Sequence, residues 1–264
     1  MPELDAVAAT LYSPLFARAH ALEYAPRAGF VDPVAGLLLA RAGADATKML
    51  TGRTDVAGAV WRAALIDLQT QQFCRRYPHG TVVSAGIGLC TRRQRLAGEV
   101  PDTITWVGVD VAPVVELRHR ELPDDPTALV ATSVGEPTWA DHVPVGGTPI
   151  LTIAEGVLMY LDRGEVTAFF AAARARFGAG TEVLADYFHP HVALGGRHPI
   201  TRTGVTFRSG ARNGRSLAGA PGWTLDSEHD VMGRLSPAYR AAATAFRIAT
   251  AGGRAYSIAH LVAS

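Results

Sequence analysis

Hydrophobic positions along the 264-residue chain fall into two rhythms. Up to Tyr77 they recur at helical spacing. Leu4, Val7, Ala8, Leu11 and Leu15 predict a helix within residues 3–25. A longer helix is predicted over Asp55–Arg76, with Val56, Val60, Ala64, Asp67 and Gln71 on one stripe and Trp61, Leu65, Leu68 and Phe73 around it. From Thr81 the rhythm changes to short, continuous apolar runs separated by amphipathic stretches. Thr81–Ala85, Ile104–Asp110, Ala128–Thr132, Pro149–Glu155 and Glu182–Tyr187 read as strands. Arg92–Leu96, Pro113–Leu122, Pro137–His142 and Arg163–Phe177 read as the helices between them. Strands that are apolar throughout, rather than at alternate positions, are covered on both faces. The pattern is that of an α/β protein with a doubly wound, mostly parallel sheet and ligands at the carboxyl ends of its strands. A strand near Trp223–Glu228, a helix over Ser236–Thr250 and a strand over Arg254–Val262 add an antiparallel edge.

Punctuation refines this outline. Pro14 predicts a break or kink, and Asp32-Pro33 starts a second helix with Asp32 as its cap. Thr54 reads as the cap of the long helix, and Thr91-x-x-Gln94 as a capping box. The chain divides into a helical cap (1–54), a core (55–187), a Gly- and Arg-rich, lid-like insertion (188–222) and a closing strand–helix–strand unit (223–264), all in one domain.

Composition narrows the function classes. At 48% hydrophobic the chain fills a sizeable core, and a formal net charge of +1 offers no field for nucleic acid or an anionic membrane. No apolar run reaches the length of about 18 residues that a membrane span needs. Cys74 and Cys90 fit neither a CxxC pair nor a zinc cluster, so two free thiols in a reducing, cytoplasmic location are expected. Oligomeric state is not legible.

The chemistry gathers around Thr81–Asp110. A strand runs into Gly86-Ile87-Gly88, a helix follows, and a second strand ends on Asp110, 22 residues after Gly88. This is the outline of a nucleotide-type cofactor site, with the acid placed to accept ribose hydroxyls. Thr91 occupies the place of a third glycine, which favours a ligand without a pyrophosphate over a dinucleotide. Arg92 and Arg93 oppose the dipole at the start of a helix and call for a carboxylate nearby, from the protein or from a ligand. Glu155, beside Gly156 at the end of a strand, opens onto the same cleft. His189, His191, His198 and Tyr160 are candidate bases near the strand ends. The His189-Pro190-His191 pair lacks an acidic partner, and no metal is expected.

These segments resemble the leucine carboxyl methyltransferase family. VVSAGIGLCTRRQRL is similar to its glycine loop, TWVGVDVAPVVELRHREL to its second strand and helix, and LTIAEGVLMYL to its AEGVLMYL segment. ATSVGEPTWADHVP, TLYSPLFARA and DPVA extend the match over roughly residues 10 to 200. The nearest branch is the bacterial polyketide O-methyltransferases of the tetracenomycin type. The resemblance implies a class I Rossmann-like fold and S-adenosylmethionine-dependent methyl transfer to a carboxyl or hydroxyl group of a small molecule. By position it implies that Ala85, Gly86 and Gly88 pass under the methionine part of the cofactor. Asp110 and Val111 would lie at the ribose, and Ser133 and Val134 at the adenine. Glu155 and Gly156 would lie near the amino group, and Arg62 would pair with the carboxylate. Tyr12, Phe16, Tyr160 and His189 are the expected substrate contacts. Three residues depart from the family pattern: Cys90 and Glu136, each in place of Asp, and Ser84. They motivate an alternative in which the fold binds the cofactor without methylating. A nicotinamide-dependent oxidoreductase rests only on the glycine turn plus acid.

Overall fold

The computed structural model describes residues 2–42, 52–144, 147–195 and 206–264. Four helices come first: α1 (Pro2–Ala19), α2 (Ala21–Tyr24), α3 (Pro33–Ala42) and the long α4 (Arg53–Arg76). Then strands and helices alternate: β1 (Thr81–Ala85), α5 (Arg92–Arg95), β2 (Thr105–Asp110), α6 (Ala112–Glu121), β3 (Ala128–Ala131), β4 (Ile150–Ala154), α7 (Arg163–Phe177) and β5 (Glu182–Phe188). Two one-turn helices follow, α8 (Pro190–Ala193) and α9 (Gly214–Leu217). The remaining elements are β6 (Trp223–Asp230), α10 (Met232–Leu235), α11 (Pro237–Ala249) and β7 (Tyr256–Ala263).

The seven strands form one sheet in the order β3-β2-β1-β4-β5-β7-β6. The first five are parallel, and β7 runs antiparallel to both β5 and β6. The winding reverses between β1 and β4, which places the topological switch point, and so the ligand crevice, at their carboxyl ends.

Continuous apolar runs are what a two-sided sheet requires, and here successive residues enter opposite cores. Val83, Ala85, Ile150, Ala154, Val183 and Ala185 pack with Phe169, Phe170 and Trp139 on one face. Val82, Leu151, Ile153 and Leu184 pack with Leu65, Ile66 and Phe73 of α4 on the other. The cap has its own core: Phe16, Ala17, Ala21 and Phe30 meet Val56, Val60 and Ala63 of α4. Leu15, Ala35 and Leu38 close over Leu89 of the glycine loop, which fixes the cap above the crevice.

Some local expectations change. α1 continues through Pro14. The Asp32 cap forms, with the Ala35 amide donating to its Oδ1 at 2.9 Å. α4 begins at Arg53 with Gly52 before it, and the Thr54 hydroxyl instead meets Tyr239 Oη at 3.2 Å. Thr91 does not cap α5, because its hydroxyl donates to Asp32 Oδ2 at 2.5 Å. The stretch expected as a helix over Pro137–His142 is a single 3-10 turn, Trp139–His142. His198 lies outside the described residues.

Candidate active site

The glycine loop is shaped by two residues in the left-handed region. Gly86 has φ +71° and Gly88 φ +49°. A Cβ on Gly86 would stand 2.4 Å from Val157 Cγ2, so the close approach of the two loops demands glycine. The amides of Gly86 and Ile87 both donate to the Val109 carbonyl, which ties the loop to the end of β2. Asp110 completes the attachment: Oδ2 accepts the Gly88 amide at 2.8 Å and Oδ1 the Val111 amide at 2.9 Å. Burial raises its carboxyl above the usual range against these amides. A carboxylate has about four acceptor positions, so two remain for a ligand's hydroxyls. From below, Arg118 Nη1 donates to the carbonyls of Gly88 at 3.0 Å and Cys90 at 2.7 Å, while its Nη2 is held by Asp125.

A cavity of about 500 Å³ opens over the switch point. Its wall includes all ten residues expected around a cofactor: Arg62, Ala85, Gly86, Gly88, Asp110, Val111, Ser133, Val134, Glu155 and Gly156. Tyr160 lines it as well. Tyr12, Phe16, His189 and His191 are not among its lining residues. Phe16 is buried in the cap and stacked on His20. Tyr12 packs against the core around Leu15. His189 is buried edge-on against Phe246, with its Nδ1 accepting the His191 amide. The cap contributes Leu11, Ser13, Pro14 and Arg18 instead, because the face of α1 that meets the cleft is offset from its aromatic face.

Behind the cavity runs a ladder of alternating charge. Arg18 Nε lies 3.1 Å from Asp32, and Asp32 accepts Arg95 Nη1 at 2.9 Å. Arg95 reaches Asp67, Asp67 accepts Arg92 Nε at 2.7 Å, and Arg92 Nη2 meets Glu155 at 2.6 Å. Arg62 then bridges Glu155, 3.0 Å from its Nε, and Asp186, 3.2 Å from its Nη1. Four arginines thus face four acids, and the carboxylate that Arg92 calls for comes from the protein. Asp186 also accepts Tyr256 Oη at 2.9 Å and the Gly156 amide at 2.6 Å. Burial alone would push the Glu155 carboxyl up, but Arg62 and Arg92 outweigh it and hold it well below the usual range. Burial keeps the Asp186 carboxyl raised even beside Arg62. Burying a charge costs several kcal/mol after relaxation, so alternation of sign is the condition for these eight side chains to sit together. Nη2 of Arg62 has no protein partner among the described residues and faces the region of Gly156, where a Cβ would come within 3.3 Å of it.

The other wall is aromatic. Tyr256 stacks on Phe188 at 4.1 Å and 8°, Phe188 on Phe207 at 5.1 Å and 23°, and Phe207 meets Tyr160 at 5.4 Å and 53°. All four rings line the cavity. Burial pushes the Tyr160 phenol up to about 12 and that of Tyr256 well above its ordinary value. Among the described residues no cluster of three or more His, Cys, Asp or Glu side chains is placed to hold a metal ion. No helix among them is long and apolar enough to cross a membrane.

Asp67, Asp186, Phe188, Phe207 and Tyr256 escaped the sequence reading. Asp186 had a signal: a charged residue inside an apolar strand is buried only with a partner. Phe207 had none, because its neighbours in space come from β4–α7 and β5.

No protein-family model matches the chain. The tetracenomycin polyketide synthesis O-methyltransferase TcmP of Streptomyces glaucescens is 32% identical over 195 residues, covering 73% of this chain and 71% of that protein. Among solved structures, a candidate methyltransferase from Thermobifida fusca YX superposes with a TM-score of 0.56 at 14% identity, covering 97% of this chain and 94% of that one. At that identity the likeness speaks to the fold alone. The O-methyltransferase NcsB1 from neocarzinostatin biosynthesis, solved with S-adenosylmethionine and 2-hydroxy-5-methyl naphthoic acid, has a TM-score of 0.49 at 17% identity. Its match covers 79% of this chain and 58% of its own length.

Proposed function

Because the chain belongs to the polyketide O-methyltransferases of the tetracenomycin type, within the leucine carboxyl methyltransferase family, we propose that it methylates a carboxylate of a polyketide-like small molecule, with S-adenosylmethionine as methyl donor. Its residues fit that cofactor. The crowded glycines at 86 and 156 leave backbone where side chains would otherwise fill the cradle. Asp110 keeps acceptor positions for two hydroxyls, and Arg62 Nη2 presents an unshared donor edge to a carboxylate. When bound, the cofactor supplies an electrophilic methyl group on a sulfonium.

The chain's own contribution is positioning and exclusion of water, the main effects in an in-line displacement. The strand order supports a reading of the cavity's two ends. Gly86 and Gly88 follow β1, Asp110 ends β2 and Ser133 follows β3, which favours the adenosine side there. Phe188 and Tyr256 belong to β5 and β7, which favours the acceptor side beyond β4. A cytoplasmic location belongs to the same proposal.

The observation that favours a carboxylate is that the described residues of the cavity wall offer no suitable base. No histidine is among the described residues lining the cavity, and both of its phenols hold their protons far above neutral pH. Glu155 is engaged by two arginines, and Asp110 by the glycine loop. A carboxylate is ionised at neutral pH and needs no base, whereas a hydroxyl does. kcat/KM for the acceptor is therefore expected to stay flat between about pH 6 and about pH 9. A second reading, hydroxyl methylation, would fall to Asp55, the one remaining acid among the described residues of the wall. It predicts that Asp55→Asn lowers kcat for the acceptor by about 100-fold or more with S-adenosylhomocysteine affinity unchanged, and that result would displace the carboxylate reading.

A further inference from the structure

Asp186 stands inside β5, fully buried, and is not among the described residues that line the cavity. Both of its oxygens are nevertheless committed to residues of the cavity wall. Oδ1 accepts the Gly156 amide at 2.6 Å, and Oδ2 accepts Arg62 Nη1 at 3.2 Å and the Tyr256 hydroxyl at 2.9 Å. The parallel pairing of β4 with β5 sets Ala154 beside Ala185, and Glu155 and Asp186 follow one step beyond that pair. Arg62 reaches them both from the middle of α4.

A guanidinium carries five N–H donors in one plane. Arg62 commits Nε to Glu155 at 3.0 Å, and Nη1 to Asp186 and to Tyr256 Oη, 3.3 Å away. The two protons of Nη2 are left, beside Gly156, where a Cβ would stand 3.3 Å from that nitrogen. Glu155 alone would not keep them there. Nε and Nη2 share one edge of the group, and such an edge takes a carboxylate through two parallel bonds. Released from Asp186, the guanidinium can turn that edge onto Glu155 and withdraw Nη2 from the cavity. Asp186 and Tyr256 grip Nη1 and oppose the turn.

We infer that Asp186 is a positioning residue for the cofactor: by holding Arg62 Nη1 it keeps Nη2 open to the cofactor's carboxylate, with the Tyr256 hydroxyl as a second stay. The inference rests on the S-adenosylmethionine-dependent function proposed above. A residue in this role affects the recognition of one group of the ligand and leaves the rest of the ligand as it was. An acid that only stabilised the sheet would affect every ligand alike.

The test uses the full chain in four forms: unaltered, Asp186→Asn, Tyr256→Phe and the double variant. Melting curves verify the fold, and Tyr256→Phe, which keeps the ring against Phe188, decides the matter if Asp186→Asn does not fold. Two probes are titrated by calorimetry: S-adenosylhomocysteine and its decarboxylated analogue S-adenosyl-3-thiopropylamine, which keeps the adenosine and the amine. Asp186→Asn is expected to weaken S-adenosylhomocysteine about tenfold, the scale of one charged hydrogen bond, and the analogue by less than about threefold. Tyr256→Phe should show the same split, with about a fivefold loss for S-adenosylhomocysteine. The double variant should resemble Asp186→Asn, because both substitutions act through one guanidinium. Equal losses for the two probes, no loss for either, or multiplied losses in the double variant would overturn the inference. So would an unaltered protein that does not prefer S-adenosylhomocysteine to the analogue, or that does not bind the analogue at all. Failure of the unaltered protein to bind S-adenosylhomocysteine would instead overturn the underlying function.

Discussion

Cys90 stands in the glycine loop at the position where the family pattern it resembles has an acid, and its Sγ lies 3.6 Å from Arg92 Nη1. The ladder meets the charge of Arg92 without that acid. Arg92 already holds Asp67 and Glu155, and the four arginines are matched by four acids without position 90. Cys90→Asp is therefore expected to change S-adenosylhomocysteine affinity by less than about threefold, read by calorimetry. A larger gain would show that the loop lacks a charge in its present form. At this scale the sequence was legible where a residue sits beside a recognisable turn. Arg62, Glu155 and Asp110 could be named, and they line one cavity. Asp67 and Phe207 could not, since each owes its position to partners from other elements: Arg92 and Arg95 for Asp67, Met159 and Phe188 for Phe207. Tyr12 and Phe16 are not in the described cavity wall: the helix turns those rings toward the cap's own cores, which aromatic character alone does not reveal.

The elements teach a related lesson through their caps. Thr91-x-x-Gln94 has the letters of a capping box, but Asp32 captures the Thr91 hydroxyl from across the cap. A four-residue helix offers too little to compete with a buried charged partner. The true box is Asp162-x-x-Glu165 at the start of α7, where each side chain accepts the other residue's backbone amide. Its letters stand in the sequence just before an apolar helical run. Asp162→Ala should cost about 1 kcal/mol of stability through the lost cap. The exposed pair with Arg208 adds little to that, as solvent-screened pairs do. Urea denaturation measures the loss, and no change in midpoint would mean that α7 is held by packing alone. Strand identities were the most legible elements, since five uninterrupted apolar runs leave few other roles for the chain.

At the scale of the whole molecule the ladder joins cap to sheet, from Arg18 in α1 to Asp186 in β5, and this makes stability depend on acid. Glu155, Asp32 and Asp125 all have folded carboxyls below their ordinary range: burial opposes ionisation, and neighbouring arginines prevail. A depressed acid contributes stability that is present above its unfolded pKa and lost as pH falls through the folded value. Asp110 and Asp186, raised by burial, act in the opposite sense and lose their contribution as pH rises through their folded values. Glu155→Gln should then be less stable at pH 7 by about 3 kcal/mol, the cost of breaking a buried pair. It should also lose less stability than the unaltered protein between about pH 5 and about pH 3. Denaturant midpoints across that range decide it; parallel curves would assign the acid limb to other groups. The parallel sheet was readable from the alternation of elements, and so was an antiparallel edge. The insertion of β7 between β5 and β6 was not, because strand order depends on pairings that leave no periodic trace in the chain.

That insertion has a bearing on the order of events during synthesis. β7 is translated after every other described strand, yet it takes an interior place, and its first residue, Tyr256, closes the pocket against Asp186 and Phe188. A nascent chain can assemble the glycine loop, Asp110 and most of the ladder while β5 still has a bare edge. Its aromatic wall forms only after residue 256 has cleared the ribosome. On the proposed assignment of the cavity's two ends, the emerging protein has a seat for the cofactor before it has a place for the acceptor.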